Sequence, residues 1–200
     1  MPRRHRAWRA AVFLAIALPC GTGASRGHAA DAEIGRQQAQ PCAACHGPAG
    51  NSDNPAIPSL AGQPAQFIVT QLVMFREGNR KDPQMSPVAA NLTNADLRAL
   101  AAYFSAQQPK PRAQSLPPEK AAAARRLTEQ NHCVQCHGPA LHGQQHVPRL
   151  AGQQQEYLRT QLKGFKAGTR FDMDGNMTSA AQPLTDADIE LLAQYLASLK

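Results

Sequence analysis

The sequence predicts an all-α protein built as two tandem domains of one fold. Three observations carry this. A long internal repeat divides the chain, apolar residues recur at helical spacing, and no stretch sustains the alternation of a strand. "PSLAGQPAQFIVTQLVMFREGNR", residues 58–80, lines up with "PRLAGQQQEYLRTQLKGFKAGTR", residues 148–170. "MSPVAANLTNADLRALAAYF" from Met85 lines up with "MTSAAQPLTDADIELLAQYL" from Met177. The offsets are 90 and 92, so the halves differ only by small insertions.

Residues 1–30 read as an export signal. A basic start leads into an apolar run, Ala10 to Leu18, and then into small residues that suit cleavage near Ala29 or Ala30. The run is shorter than the ~20 residues that span a bilayer. Sec-type export to the periplasm is the expectation, with a retained anchor as the alternative. Cys20 follows Pro19, where a lipoprotein signal would place a small residue. No later segment is apolar enough to cross a membrane, so the mature chain is expected to be soluble, with peripheral association open. The formal charge of +7 is concentrated in this leader, which holds five arginines and no acid. Without it, 16 basic residues face 14 acidic ones, dispersed along the chain, so a nucleic-acid partner is not expected.

The domains then follow as 31–108 and 118–200, joined by a Pro-rich linker at 109–117 with Pro109, Pro111 and Pro117. The stretches 64–77 and 154–167 predict helices. Pro118 suits the first turn of another helix in "PPEKAAAARRLTEQ". Thr93 with Asp96, and Thr185 with Asp188, predict capped starts for the last helix of each half. Domains of this size bury a thin core and commonly need a staple.

The staple is visible twice. "CAACHGP", residues 42–48, returns 91 residues later as "CVQCHGP". A thioredoxin-like dithiol needs a strand context that is missing here. A four-cysteine zinc site, or two short disulfides, would leave His46 and His137 without a role. C-x-x-C-H is the attachment signature of c-type haem. Thiols one helical turn apart can form thioethers to the two vinyl groups, and the next residue supplies the proximal imidazole. Two covalently bound haem c groups are therefore expected, on Cys42, Cys45 and His46, and on Cys133, Cys136 and His137.

The sixth ligand separates a closed electron carrier from an open catalytic site. The first domain has no second histidine. Met74 aligns with Gly164 among helical apolar residues and reads as core. Met85 aligns with Met177, each about 40 residues after its histidine in an expected loop, and these two are the expected axial ligands. Met173 is a rival for the second haem. His132, His142 and His146 read as loop or surface residues, with a distal or metal role as the minor case.

These motifs, with "PSLAGQ", "PRLAGQ" and "MSPVAANLT", resemble a di-haem class I cytochrome c of the cytochrome c4 family across essentially the whole mature chain. The resemblance implies two tandem class I cytochrome c domains related by internal repeat, packed about a pseudo-twofold axis with the haem propionates at the interface. It implies that the carbonyls of Pro58 and Pro148 orient the proximal imidazoles. It also implies that Leu60 and Leu150, with Gly47 and Gly138, line the haem crevices. The second half departs from the pattern, since Pro87 has no counterpart and Pro183 is new. The expected function is one-electron transfer between a quinol–cytochrome c reductase and a terminal oxidase or other periplasmic acceptor. The alternative is a redox enzyme or its di-haem subunit, of thiosulfate dehydrogenase or peroxidase type, with one open haem. Arg159, Lys163, Lys166 and Arg170 recur at near-helical spacing and read as a solvated helix face, with docking of an acidic partner as the other option.

Overall fold

The computed structural model describes residues 33–112 and 114–200. The expected export segment, with its cleavage point and Cys20, lies outside the described residues. The first half runs through α1 (33–38), α2 (Ala43–His46), a short 3₁₀ turn (Pro48–Gly50), α3 (Ala65–Arg76), α4 (Met85–Ala89) and α5 (Asn94–Ser105). The second runs through α6 (Pro118–Gln130), α7 (Cys133–His137), α8 (Gln155–Lys166), α9 (Asn176–Ala181) and α10 (Asp186–Ser198). Among the described residues the only β pairing is an isolated bridge between Gln144 and Val147.

Local chemistry explains the element ends. Both expected capping boxes form: Thr93 accepts from the Asp96 N–H and Asp96 accepts back from Thr93, and Thr185 and Asp188 repeat the exchange. Pro118 opens α6, where its missing N–H costs nothing. The α3 helix packs on α5 and α4, and α8 packs on α10 and α9. The first core gathers Ala39, Ile68, Leu100, Ala101 and Phe104; the second centres on Leu158, Ala193 and Leu196. At Gly35 a Cβ would lie 2.0 Å from the Ala99 carbonyl oxygen, so α1 meets α5 at a contact that only glycine allows.

One expectation is corrected. The segments carrying Met85 and Met177 are short helices rather than loops. Ala89 and Ala181, both fully buried, seat them on α3 and α8. The proline-rich linker is bonded to both halves. The Asn51 side chain accepts from the Lys110 N–H at 2.7 Å and donates to the Gln108 carbonyl. The Arg112 guanidinium donates to the carbonyls of Gly152 and Ser52 and to the Ser59 hydroxyl, so it touches both halves.

The halves are clasped by two buried glutamines that the repeat places in equivalent positions. Gln63 donates to the Arg149 carbonyl at 2.9 Å and accepts from the Arg149 N–H at 3.0 Å. Gln153 donates to the Ser59 carbonyl at 2.9 Å and accepts from the Ser59 N–H at 2.8 Å. Each amide thus holds the residue four positions before its counterpart. Gln154, also buried, donates to the Ser52 carbonyl. Beside this clasp, Arg80 and Arg170 stack on Phe75 and Phe165, each at 4.5 Å. Both arginines donate to the Gln161 side-chain oxygen. Burial pushes the Arg170 guanidinium down to about 10.

Candidate haem sites

A one-turn helix sets each cysteine pair. In the first half the His46 N–H closes onto the Cys42 carbonyl at 2.9 Å, which brings both thiols and the imidazole onto one short turn. Of these four cysteines Cys42 and Cys133 are half-buried, and Cys45 and Cys136 are exposed. The chain leaves the turn through Gly47 and Gly138, with φ of 76° and 80°. A Cβ on Gly47 would fall 2.1 Å from the Asn51 carbonyl oxygen. Gly47 therefore serves the backbone turn.

Both histidines are buried, His46 at 6% exposure and His137 at 4%. His46 Nδ1 lies 2.8 Å from the Pro58 carbonyl oxygen, and His137 Nδ1 lies 2.8 Å from that of Pro148. A carbonyl only accepts, so the proton sits on Nδ1 and Nε2 keeps its lone pair. Burial lowers both imidazoles, which holds them neutral, against an opposing pull from the proline carbonyls.

In the first half a cavity of about 540 Å³ brings these groups together. Cys42, His46, Leu60, Met85, Leu100 and Phe104 all line it. Thiol, imidazole and thioether on largely apolar walls, with Gln37, Gln38 and Asp96 also in the lining, fit a flat macrocycle carrying iron, in the size range of cofactor sites. Met74 is elsewhere, buried in α3 with the Gln71 amide 3.8 Å from its sulfur. In the second half Leu150 packs beside Cys133 and Val134 on the core. Met177 is half-buried on α9, whereas Met173 is 75% exposed. The two cysteine pairs are not brought into one cluster: among the described residues no group of three or more His, Cys, Asp or Glu side chains could hold a metal ion.

His132, His142 and His146 are exposed. His142 bonds the Lys200 carbonyl, and His146 lies 3.9 Å from Asp174. The expected basic patch does not form one face. Arg159 pairs with Glu156 and Glu190, Lys166 donates to the Gln182 carbonyl, and Arg170 turns into the interface between the halves. The resemblance implied an interface between the halves, but sequence reasoning missed the residues that form it. Their one signal was the repeated "AGQ", which reads equally well as a turn.

The cytochrome c family model matches residues 32–108 and again 121–200. The chain belongs to the cytochrome c family. Cytochrome c4 from Thiocapsa roseopersicina is 38% identical over 79% of this chain and 86% of its own. The thiosulfate dehydrogenase electron acceptor of Thiomonas intermedia is 38% identical over 80% of this chain and 79% of its own. The crystal structure of reduced cytochrome c4 from Pseudomonas stutzeri superposes with a TM-score of 0.78 at 32% identity, covering 84% of this chain and 98% of that one. The protein is thus a di-haem electron carrier of cytochrome c4 type, with two covalently attached haem c groups.

Proposed function

We propose that the chain is an exported, periplasmic carrier whose two haems each have His/Met ligation. In this reading 1–30 is the signal peptide, and 31–108 and 118–200 are mono-haem domains joined by 109–117. Cys42 and Cys45, and Cys133 and Cys136, carry the thioethers. His46 with Met85, and His137 with Met177, are the axial ligands, and Leu60 and Leu150 wall the crevices. The observation that carries the reading is the single apolar cavity lined by Cys42, His46 and Met85 together. When bound, haem c supplies reversible one-electron chemistry at iron, at a potential raised by methionine ligation.

The chain's own contribution is to hold and to close. Pro58 and Pro148 fix the imidazole tautomer, so that Nε2 is always the free nitrogen. Met85 and Met177 would complete the hold on iron and so leave no place for a substrate. Without residues 1–30 the charge of the chain is nearly balanced, 16 basic residues against 14 acidic, so a partner is recognised by local shape rather than by long-range steering. The donor and acceptor are proposed to be a quinol–cytochrome c reductase and a terminal oxidase, with any membrane contact peripheral; no helix among the described residues is long and apolar enough to cross a membrane.

A second reading has an observation behind it. Relatives 38% and 36% identical are thiosulfate dehydrogenase electron acceptors. The thiosulfate dehydrogenase TsdBA of Marichromatium purpuratum superposes on 86% of this chain with a TM-score of 0.73, although only 40% of that longer chain is covered. Stopped-flow mixing separates the possibilities. The reduced holoprotein should be oxidised by terminal-oxidase membranes, and the oxidised form reduced by quinol with its reductase. Reduction only by a thiosulfate dehydrogenase with thiosulfate would support the second reading. Thiosulfate oxidation or peroxide turnover by the holoprotein alone would sink both carrier readings.

A further inference from the structure

We propose that Asp82 and Asp172 are positioning residues that hold the backbone of Met85 and Met177 in place for the iron. The inference rests on the ligand reading above. Asp82 Oδ1 accepts from the Met85 N–H at 2.8 Å and from the Gln84 N–H at 2.9 Å, while the Asp82 N–H donates to the Ser86 hydroxyl at 3.0 Å. Asp172 Oδ2 accepts from the Met177 N–H at 2.9 Å. The two halves reach this contact by different routes. Asp82 precedes its methionine by three residues and Asp172 by five, with Met173, Asp174 and Gly175 in the longer segment. Gly175, at φ 72°, takes up the extra length. The insertion changed everything between carboxylate and methionine except the bond between them.

No other side chain does this work. Gln84 and Gly175, the residues at the helix starts, give no side-chain cap. Helices as short as α4 and α9 are unstable alone, so their first N–H groups need an anchor. The anchor is itself fixed, because the Arg80 and Arg170 N–H groups bond the carbonyls of Met74 and Gly164 at the ends of α3 and α8. The halves are not equal. The Asp82 carboxylate accepts from two backbone N–H groups and the Asp82 N–H donates to the Ser86 hydroxyl, and Pro87 stiffens α4. Asp172 makes one backbone bond and a long contact to the Thr178 hydroxyl at 3.5 Å. Met177 is therefore the looser ligand, and the second haem is the one an exogenous ligand captures first.

The test uses the holoprotein and cyanide as the probe, with far-red absorption for methionine ligation and far-UV dichroism for helix content. Met85→Ala and Met177→Ala assign the signals to each haem. A hydrogen bond to a charged group is strong enough that its loss should raise cyanide affinity by roughly tenfold or more. Asp82→Ala should do this at the first haem only and Asp172→Ala at the second only, with unchanged dichroism. Asp82→Asn keeps the acceptor oxygen and should recover most of the wild-type behaviour. If Asp82→Ala yields no holoprotein, Asp82→Glu, which displaces the carboxylate by one methylene, should show the same rise. Full far-red bands and wild-type cyanide affinity in these variants would overturn the proposal alone. A wild-type protein without any far-red band would overturn the ligand reading beneath it.

Discussion

Truncating Gln153 to alanine tests the account of the interface. The side chain is 5% exposed. Its amide oxygen accepts from the N–H groups of Ser59 and Gln154 at 2.8 and 2.9 Å, and its nitrogen donates to the Ser59 carbonyl at 2.9 Å. The truncation leaves two donors and one acceptor unpaired among buried residues. Each such group costs about 1–3 kcal/mol when it stays dry. It will not stay wholly dry, because a cavity of about 10 Å³, the size of one water, already adjoins Ser59, Gln63 and Gln153. The expected loss is therefore about 2–4 kcal/mol rather than the full sum. Gln63→Ala frees only the N–H and carbonyl of Arg149 and should cost less, about 1–2 kcal/mol. Guanidinium unfolding of the two holoproteins measures both. The reasoning is refuted if both variants match the wild type within about 0.5 kcal/mol, or if Gln63→Ala is the more damaging.

Three further outcomes follow from the same structure. Leu100→Ala removes a residue 4% exposed that belongs both to the first core and to the cavity wall, and thermal unfolding should show a loss of about 2–4 kcal/mol. The Asp96 and Asp188 carboxylates are held below the ordinary range, chiefly by the hydroxyls of Thr93 and Thr185. Because their folded values are depressed, the stability they give is present above the unfolded value near ~4 and is lost as pH falls through the lower folded value. Acid titration followed by dichroism should show that decline, and Asp96→Asn with Asp188→Asn should flatten it. Arg112→Ala removes the linker's bonds to Gly152, Ser52 and Ser59, so limited proteolysis should nick residues 109–117 severalfold faster than in the wild type.

The helices were legible because each carried its own instructions. Thr93 with Asp96 and Pro118 mark starts that the chain uses as written. The C-x-x-C-H pairs were legible because their chemistry depends on spacing within one turn. The Met85 and Met177 segments were not, since helices of five and six residues show no periodicity and are supported from outside themselves, by the bonds from Asp82 and Asp172 and by the burial of Ala89 and Ala181. The side chains that clasp the interface were hidden for a different reason. Gln63 and Gln153 are polar residues in loops, and nothing local tells a clasping amide from a solvated one. Arg170 misled for the same reason: its spacing matches that of Arg159 and Lys163, yet its guanidinium stacks on Phe165 at the contact between halves.

The most direct test of the central claim is the absorption spectrum of the holoprotein, recorded oxidised, reduced, and reduced under carbon monoxide. The account predicts two low-spin haems per chain, a far-red band that Met85→Ala and Met177→Ala each remove by half, and no change with carbon monoxide. A high-spin component, or carbon monoxide binding to half of the haem, would contradict it and would make one site, that of Met177 first, an open one.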